Sequence, residues 1–341
     1  MEDHRVIAID LAKNVFQVCV LGRGDQVLLN RALRRKQLGL YLSKQRPSLV
    51  AMEACAGAHY WGRLARGYGH RVVLLPPKRV SPYRQGQKTD GNDALAIAIA
   101  ARQPRLKAVG LKTVEQQGIQ SEKRVEEHLT DQLTATGNLL RSLVAEFGVV
   151  IPKGISGLKR RMPLILEDAD NGIPILMRES LYLVWRHWQQ LARAVGVSDR
   201  ILANRVTQLE PCQRLQALHG VATKNAIGLY AALGQGDHFK NGREAAACIG
   251  VTPRQHSTGG KVVLMGIGKF RGHQRLRSSL ILGARAVVNP LAKRAPRTAT
   301  ERWLKELIDR RGPGRAAVAL ANKNIRTAWA MLHYNTSYRP N

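Results

Sequence analysis

Four carboxylates stand in this chain where chemistry would need them. Asp10 closes the apolar run Val6-Ile7-Ala8-Ile9, and Glu53 closes Leu49-Val50-Ala51-Met52. Each therefore ends a short strand that reads as buried, the edge at which open α/β sheets place their chemistry. Asp90 and Asp93 lie three residues apart in Lys88-Thr89-Asp90-Gly91-Asn92-Asp93-Ala94, at the mouth of a helical segment. That spacing lets both side chains point from one face. Four hard oxygen donors suit Mg²⁺ or Mn²⁺. A pair of such ions about 4 Å apart activates the attacking oxygen and steadies the leaving one when a phosphodiester is cut. Taken singly, each acid has a plainer role: Asp93 as a helix cap, Asp90 as a turn residue, Asp10 or Glu53 as the partner of a cation. Taken together, at two strand ends and one helix mouth, they point to a shared site. Lys88 and Thr89 are placed to touch a phosphate beside it.

The elements that must hold these acids follow from the apolar pattern. Val15–Leu21 reads as a second strand, and the turn Gly22-Arg23-Gly24-Asp25 leads to a third over residues 26–29, a meander. A polar helix near 35–45, the strand ending in Glu53, a helix near 60–68, a strand over 71–75 stopped by Pro76-Pro77, and an Ala-rich helix near 92–101 complete a domain over residues 1–112. Three strands followed by alternating helix and strand is the order of an RNase H-like α/β fold. Residues 113–210 change character: Val125, Leu129, Leu133, Leu140, Val144 and Phe147 form one helical stripe, and Leu181, Val184, Trp185, Trp188 and Leu191 form another. A Gly/Pro-rich break separates them around 150–174. An antiparallel hairpin or a partner-binding coiled coil would bury both stripes. Residues 211–341 read as a mainly α-helical, basic domain, with helices near 275–288 and 316–332. Within it, residues 215–226 resemble one half of a helix-hairpin-helix, with Gly220 in the turn and Lys224 just beyond, presenting backbone N–H groups to a phosphate. Ala222 stands where a second glycine is usual, and an ordinary helix–turn–helix connection accounts for the segment equally well.

With 54 Lys and Arg against 24 Asp and Glu, the chain carries a formal net charge of +30, and 44% of its residues are hydrophobic. A folded protein this basic seeks a polyanion, most commonly nucleic acid. From Arg254 onward there are 18 Lys and Arg against three acids, a net +15 in 88 residues. No run approaches the roughly 18 apolar residues of a membrane span. The first residues lack a signal layout, so a cytoplasmic location and no membrane partner are expected. The four cysteines are scattered without metal-ligand or disulfide spacing and read as small core residues. Aromatic residues make up only 5%, which favours contact with duplex backbone and RNA shape over extensive base stacking.

The stretches Ile7–Lys13, Ala51–Gly57 and Lys88–Ala94 look like the three acidic motifs of insertion-sequence transposases with a RuvC-like DEDD domain. That family also holds the Piv invertase and the bridge-RNA-guided recombinases. The likeness continues through Ala247–Lys261, which resembles the family's second block. It implies that Asp10, Glu53, Asp90 and Asp93 are catalytic and metal-binding. It also implies that Ser257 in the Ser-Thr-Gly-Gly loop attacks a DNA phosphorus to give a covalent phosphoserine. The neighbouring hydroxyl of Thr258 is the alternative nucleophile, though a more crowded one. Arg254, Lys261, Lys269, Arg271, Arg275 and Arg277 cluster around this loop in sequence as nucleic-acid contacts, alongside Lys88, Gly220 and Lys224. The resemblance further implies donor and target duplex DNA, a structured guide RNA, and a homodimer or homotetramer. Two rival readings remain: a Holliday-junction-type endonuclease that uses metal and water, and a non-catalytic nucleic-acid-binding protein.

Overall fold

In a computed structural model, which describes residues 5–268 and 272–339, β1 (Val6–Asp10), β2 (Val15–Leu21) and β3 (Val27–Arg34) form the antiparallel meander. On the other side of β1, β4 (Leu49–Glu53) and β5 (Arg71–Leu75) add in parallel, giving the order β3-β2-β1-β4-β5. The central strands can be apolar throughout because helices cover both faces. On one face, α1 (Arg35–Ser43) and α2 (Ala58–Gly67) bury Leu38, Leu42, Trp61 and Ala65 against Ile7, Ile9, Val50 and Met52. On the other, beyond the short α3 (Pro77–Val80), α4 (Asp90–Ala101) packs Ala94, Ala96, Ile97, Ala98 and Ala100 with Val6, Ala8, Cys19 and Ala51. This mixed sheet with helices is consistent with an RNase H-like DEDD domain. β3 runs on past its apolar start to Arg34 because it pairs with β2 along its whole length, as an edge strand whose outward side chains stay exposed.

The chain divides into two compact units, residues 1–115 and 116–341. The second is helical. It takes in nearly all of α5 (Val114–Ala145), then α6 (Ile155–Glu167) and α7 (Ile175–Gln208). The two stripes read from sequence close on each other through α6: Leu133, Leu140 and Val144, Leu158 and Met162, and Leu181, Trp185, Trp188 and Leu191 share one core. The expected break around 150–174 thus carries a helix of its own, with Pro163 inside it. At these stripe positions the apolar seam is filled from within the chain, so no partner-binding coiled coil is seen there. The remaining elements are α8 (Glu210–Leu215), α9 (Thr223–Leu233), α10 (Gly242–Ile249), the hairpin β6 (Pro253–Thr258) and β7 (Lys261–Ile267), α11 (Gln274–Leu291), α12 (Ala299–Arg311) and α13 (Pro313–His333). The last helix is central to a second core, burying Ala317, Leu320, Ala321, Ile325 and Ala328 against α9, α10 and α11. Among the described residues no helix is long and apolar enough to cross a membrane.

Candidate active site

The register of the sheet decides where the strand-end acids point. Ile9 lies opposite Met52 in the parallel pair, so Asp10 and Glu53 come next at the same end. Each is two residues beyond an alanine, Ala8 or Ala51, that packs on the α4 face. By alternation both carboxylates leave the sheet on that face, toward the helix that carries the other two acids. Thr89 is the N-cap of α4, its hydroxyl accepting from the Asn92 N–H at 3.3 Å. Asp93 is therefore free of capping duty, and Asp90 and Asp93 both sit in the first turn.

The start of α4 is fastened from the sheet. The Asn30 side chain donates to the Gly91 carbonyl at 3.1 Å, and Gln17 donates to the Asn30 oxygen at 2.8 Å. Arg84 donates to Asp93 at 3.2 Å. None of Gln17, Asn30 or Arg84 belongs to an acidic motif or an apolar period. The one signal available to sequence reading was their polarity on or beside elements otherwise packed against the core.

Burial pushes the Asp10 carboxyl up to about 6, and the charges of Asp93, Asp90 and Glu53 push in the same direction. Glu53 is also raised, first by burial and then by Asp93, with Arg84 and Lys88 pulling back. The four acids thus feel one another, and Lys88 lies within their field. Such a set of mutually repelling hard oxygens fits a divalent cation, which relieves both burial and repulsion. Asp10, Glu53, Asp90 and Asp93 are the residues that would hold it. Among the described residues no three acidic, His or Cys side chains are already drawn to metal-holding distance.

Ser257 does not stand in a loop. It pairs with Val262, and Thr258 with Lys261, in the exposed β6–β7 ribbon. Gly259 and Gly260 alone form the turn, with φ of +53° and +78°. Two successive positive φ values are what a two-residue hairpin turn with the twist of its strands requires. Alternation puts Ser257 on the side of Gln255, whose amide donates to the serine Oγ at 2.8 Å, and puts His256 and Thr258 on the other.

The basic residues named around this ribbon fall into distinct groups. Arg254 and Lys261 are exposed on it. Lys269 and Arg271 lie outside the described residues. Arg277 is buried, its guanidinium donating to the carbonyls of Gly250 and Gly268. Arg275 pairs with Asp131 and Glu127 on α5. Lys224 is held between Glu126 at 2.7 Å and Asp199 at 2.8 Å. Each of these three has a partner within the fold; for Lys224 it includes Glu126, a buried carboxylate that needs a cation beside it. Gly220 packs its backbone on α11: a Cβ there would meet the Gly283 carbonyl at 2.4 Å. Its φ of +78° and that close approach account for the glycine without a phosphate. Of the cysteines, Cys19 and Cys212 are buried as read, but Cys55 and Cys248 are exposed, Cys55 in the turn that follows β4.

An α/β sheet with acids at the ends of two neighbouring strands and two more in the first turn of the helix packed on that face, followed by a basic helical unit, fits a nucleic-acid phosphoryl-transfer class of architecture. Residues 7–148 match the profile of the DEDD transposase domain of the IS110 type, and residues 212–297 that described as "Transposase IS116/IS110/IS902 family". The chain is similar to the "Transposase for insertion sequence element IS1111A" of Coxiella burnetii, 37% identical over 99% of this chain and 92% of that protein. It is also similar to the "Probable family 20 transposase" of Pseudomonas aeruginosa, 40% identical over 98% of each. A more distant likeness is to the "Pilin gene-inverting protein" of Moraxella bovis, 22% identical over 82% of this chain and 81% of that one. The chain belongs to the IS110 family of transposases.

Proposed function

We propose that this transposase cuts and rejoins DNA through a covalent phosphoserine, with a divalent ion held by the DEDD acids. The convergence of Asp10, Glu53, Asp90 and Asp93 on one face carries the reading, since burial and mutual charge already raise Asp10. A bound Mg²⁺ or Mn²⁺ supplies charge stabilisation to the phosphate in transit. The oxygen of Ser257 forms a bond to phosphorus as the bond to a bridging DNA oxygen breaks; the serine proton passes to a base and the departing DNA oxygen takes up another. Attack by the hydroxyl of a second strand restores the serine and joins the DNA. The Gln255 amide, donating to the serine Oγ, supports a hydroxyl held with its own proton pointed elsewhere.

Strand exchange between two duplexes calls for a homodimer or homotetramer, and exposed Leu176, Tyr182 and Leu183 on α7 support such a contact. A structured guide RNA, recognised by shape and charge, supplies target choice in this reading, and the bacterial cytoplasm, on the nucleoid, is its place. Residues 1–112, 113–210 and 211–341 are the catalytic, oligomerising and serine-bearing regions.

The test is a denaturing gel after incubation with Mg²⁺, labelled DNA and RNA from the flanking locus. Wild type and Thr258→Ala are expected to give a shifted protein–DNA band, and Ser257→Ala none. Cleavage by Ser257→Ala without any adduct would assign the chemistry to water, as in a junction endonuclease. DNA handling indifferent to Mg²⁺ and to Asp93→Ala would leave a non-catalytic binding protein.

A further inference from the structure

A wide concavity of the second unit lies where one side of the β6–β7 ribbon faces α12 and α13 and the start of α10. It is an open groove of about 1590 Å³, more than a single small ligand fills. Five cations line it: Arg243, Arg311, Arg315, Lys323 and Arg326. Among the described residues no acidic side chain does. Elsewhere in this unit Arg205, Arg214, Lys224, Arg275 and Arg294 each have a carboxylate partner. Among the described residues none of the five groove cations has one.

Arg315, Lys323 and Arg326 follow one another along a single face of α13, spanning about 16 Å of helix axis. The opposite wall is apolar, with Leu264 and Met265 of β7 exposed to it. Trp303 adds a flat aromatic surface beneath the Lys323 ammonium, 4.7 Å from the ring centre. A duplex stacks its base faces inside and offers only their edges in the grooves, so it has no flat face to set against the apolar wall. A single strand offers phosphates to one wall and base faces to the other. The side-chain oxygen of Asn241 is spent on capping α10, and the Asn322 amide donates to the Val251 carbonyl. Both amides thus have partners within the fold, which weights the groove toward phosphates and base faces over a ribose 2′-hydroxyl, the group that tells RNA from DNA.

We infer that this groove binds a single-stranded segment of DNA, with its phosphates on the α13 cations and its bases against Trp303 and the β7 wall. The inference goes beyond the strand-transfer reading and does not depend on Ser257, because it concerns binding without cutting.

The test is fluorescence anisotropy of the full chain, without divalent metal, on a labelled single strand of about 20 nucleotides, longer than the span of one such groove. A duplex and an RNA of the same sequence are measured beside it. The triple change Arg315→Ala, Lys323→Ala, Arg326→Ala, at three exposed positions, is expected to weaken single-strand binding by about tenfold or more. It should also flatten the salt slope by about 2. Trp303→Leu should weaken binding severalfold with the slope unchanged, a split that generic charge loss does not give. A matched loss of charge on α6 and α7, Lys159→Ala, Arg193→Ala, Arg200→Ala, should change affinity by less than about twofold. The inference fails if the groove triple binds the single strand as wild type does, if the matched triple costs as much, or if the loss falls only on duplex or on RNA.

Discussion

Asp10 and Glu53 end strands whose preceding residues are almost wholly buried, whereas Ser257 stands on a ribbon whose first strand is exposed from end to end. The acids are placed by sheet register and by a helix fastened through Asn30. The serine is placed by a two-glycine turn and one amide. A two-stranded ribbon on its own is marginal in water. The carboxylates are therefore held in place by the fold, with burial and one another's charge raising Asp10 and Glu53. The hydroxyl is presented on an exposed strand, with the Gln255 amide as its partner.

The sharpest way to break this comparison is Asp10→Asn. If the acid half is preorganised for charge, strand cleavage should fall on the order of a thousandfold, measured by product on a denaturing gel. Stability should move the other way. The Asp10 carboxyl is held up to about 6 from a usual value of 3.8. Its favourable contribution is therefore present below about pH 4 and is lost as pH rises through 6. Without divalent metal, Asp10→Asn should melt above wild type at pH 7.5, with the gap closing toward pH 4, by calorimetry. Mg²⁺ should raise the melting point of the wild type and leave the variant almost unmoved. Equal melting points at pH 7.5 would remove the claim that burial and charge raise Asp10.

A smaller effect tests the other half. Replacing Gly259 and Gly260 by alanine puts side chains at positive φ, at about 1 kcal/mol or more for each. Strand transfer should drop roughly tenfold to a hundredfold, while the melting point barely shifts, since the ribbon buries little. Gly259→Asn, which keeps an Asn-Gly turn, should restore most of the activity. A large fall in melting point would mean that the ribbon is part of the core after all. The smallest change, Asn30→Ala, removes the donor to Gly91 and should lower cleavage by about tenfold. That loss should be partly recovered at higher Mg²⁺, because the helix acids remain but are less firmly aimed.

The sheet and its acids were legible because buried strands write themselves as short apolar runs and because Asp10, Glu53, Asp90 and Asp93 each sit at an element boundary. The ribbon was not legible. Its strands have no buried face, so Pro253–Ile267 carries no alternation, and Ser-Thr-Gly-Gly reads as a loop until the pairing partner is known. The α6 helix was hidden by the Gly and Pro around it, since tertiary packing of Leu158 and Met162 outweighs local propensity. The partners of Lys224, Arg275 and Arg277 were not legible, because sequence gives charge without partners. Their partners lie on α5 and α7 or are backbone carbonyls more distant along the chain than any local pattern reaches. The groove on α13 was missed for the converse reason: its cations look ordinary until the absence of facing carboxylates is seen.

Helix α4 carries its acids at one end and a run of small residues, Ala94, Ala96, Ala98 and Ala100, in the core beneath. Those methyl groups act as a spacer. Ala94, on the helix stripe that continues from Asp90 and Asp93, sets how far those acids stand from the strand-end pair, so one added methylene there would lift the helix acids and widen the gap between the two halves of the cluster. The gauge of the site is thus cut in residues that never touch a substrate, and drift at those alanines would retune the chemistry while leaving every acid in place.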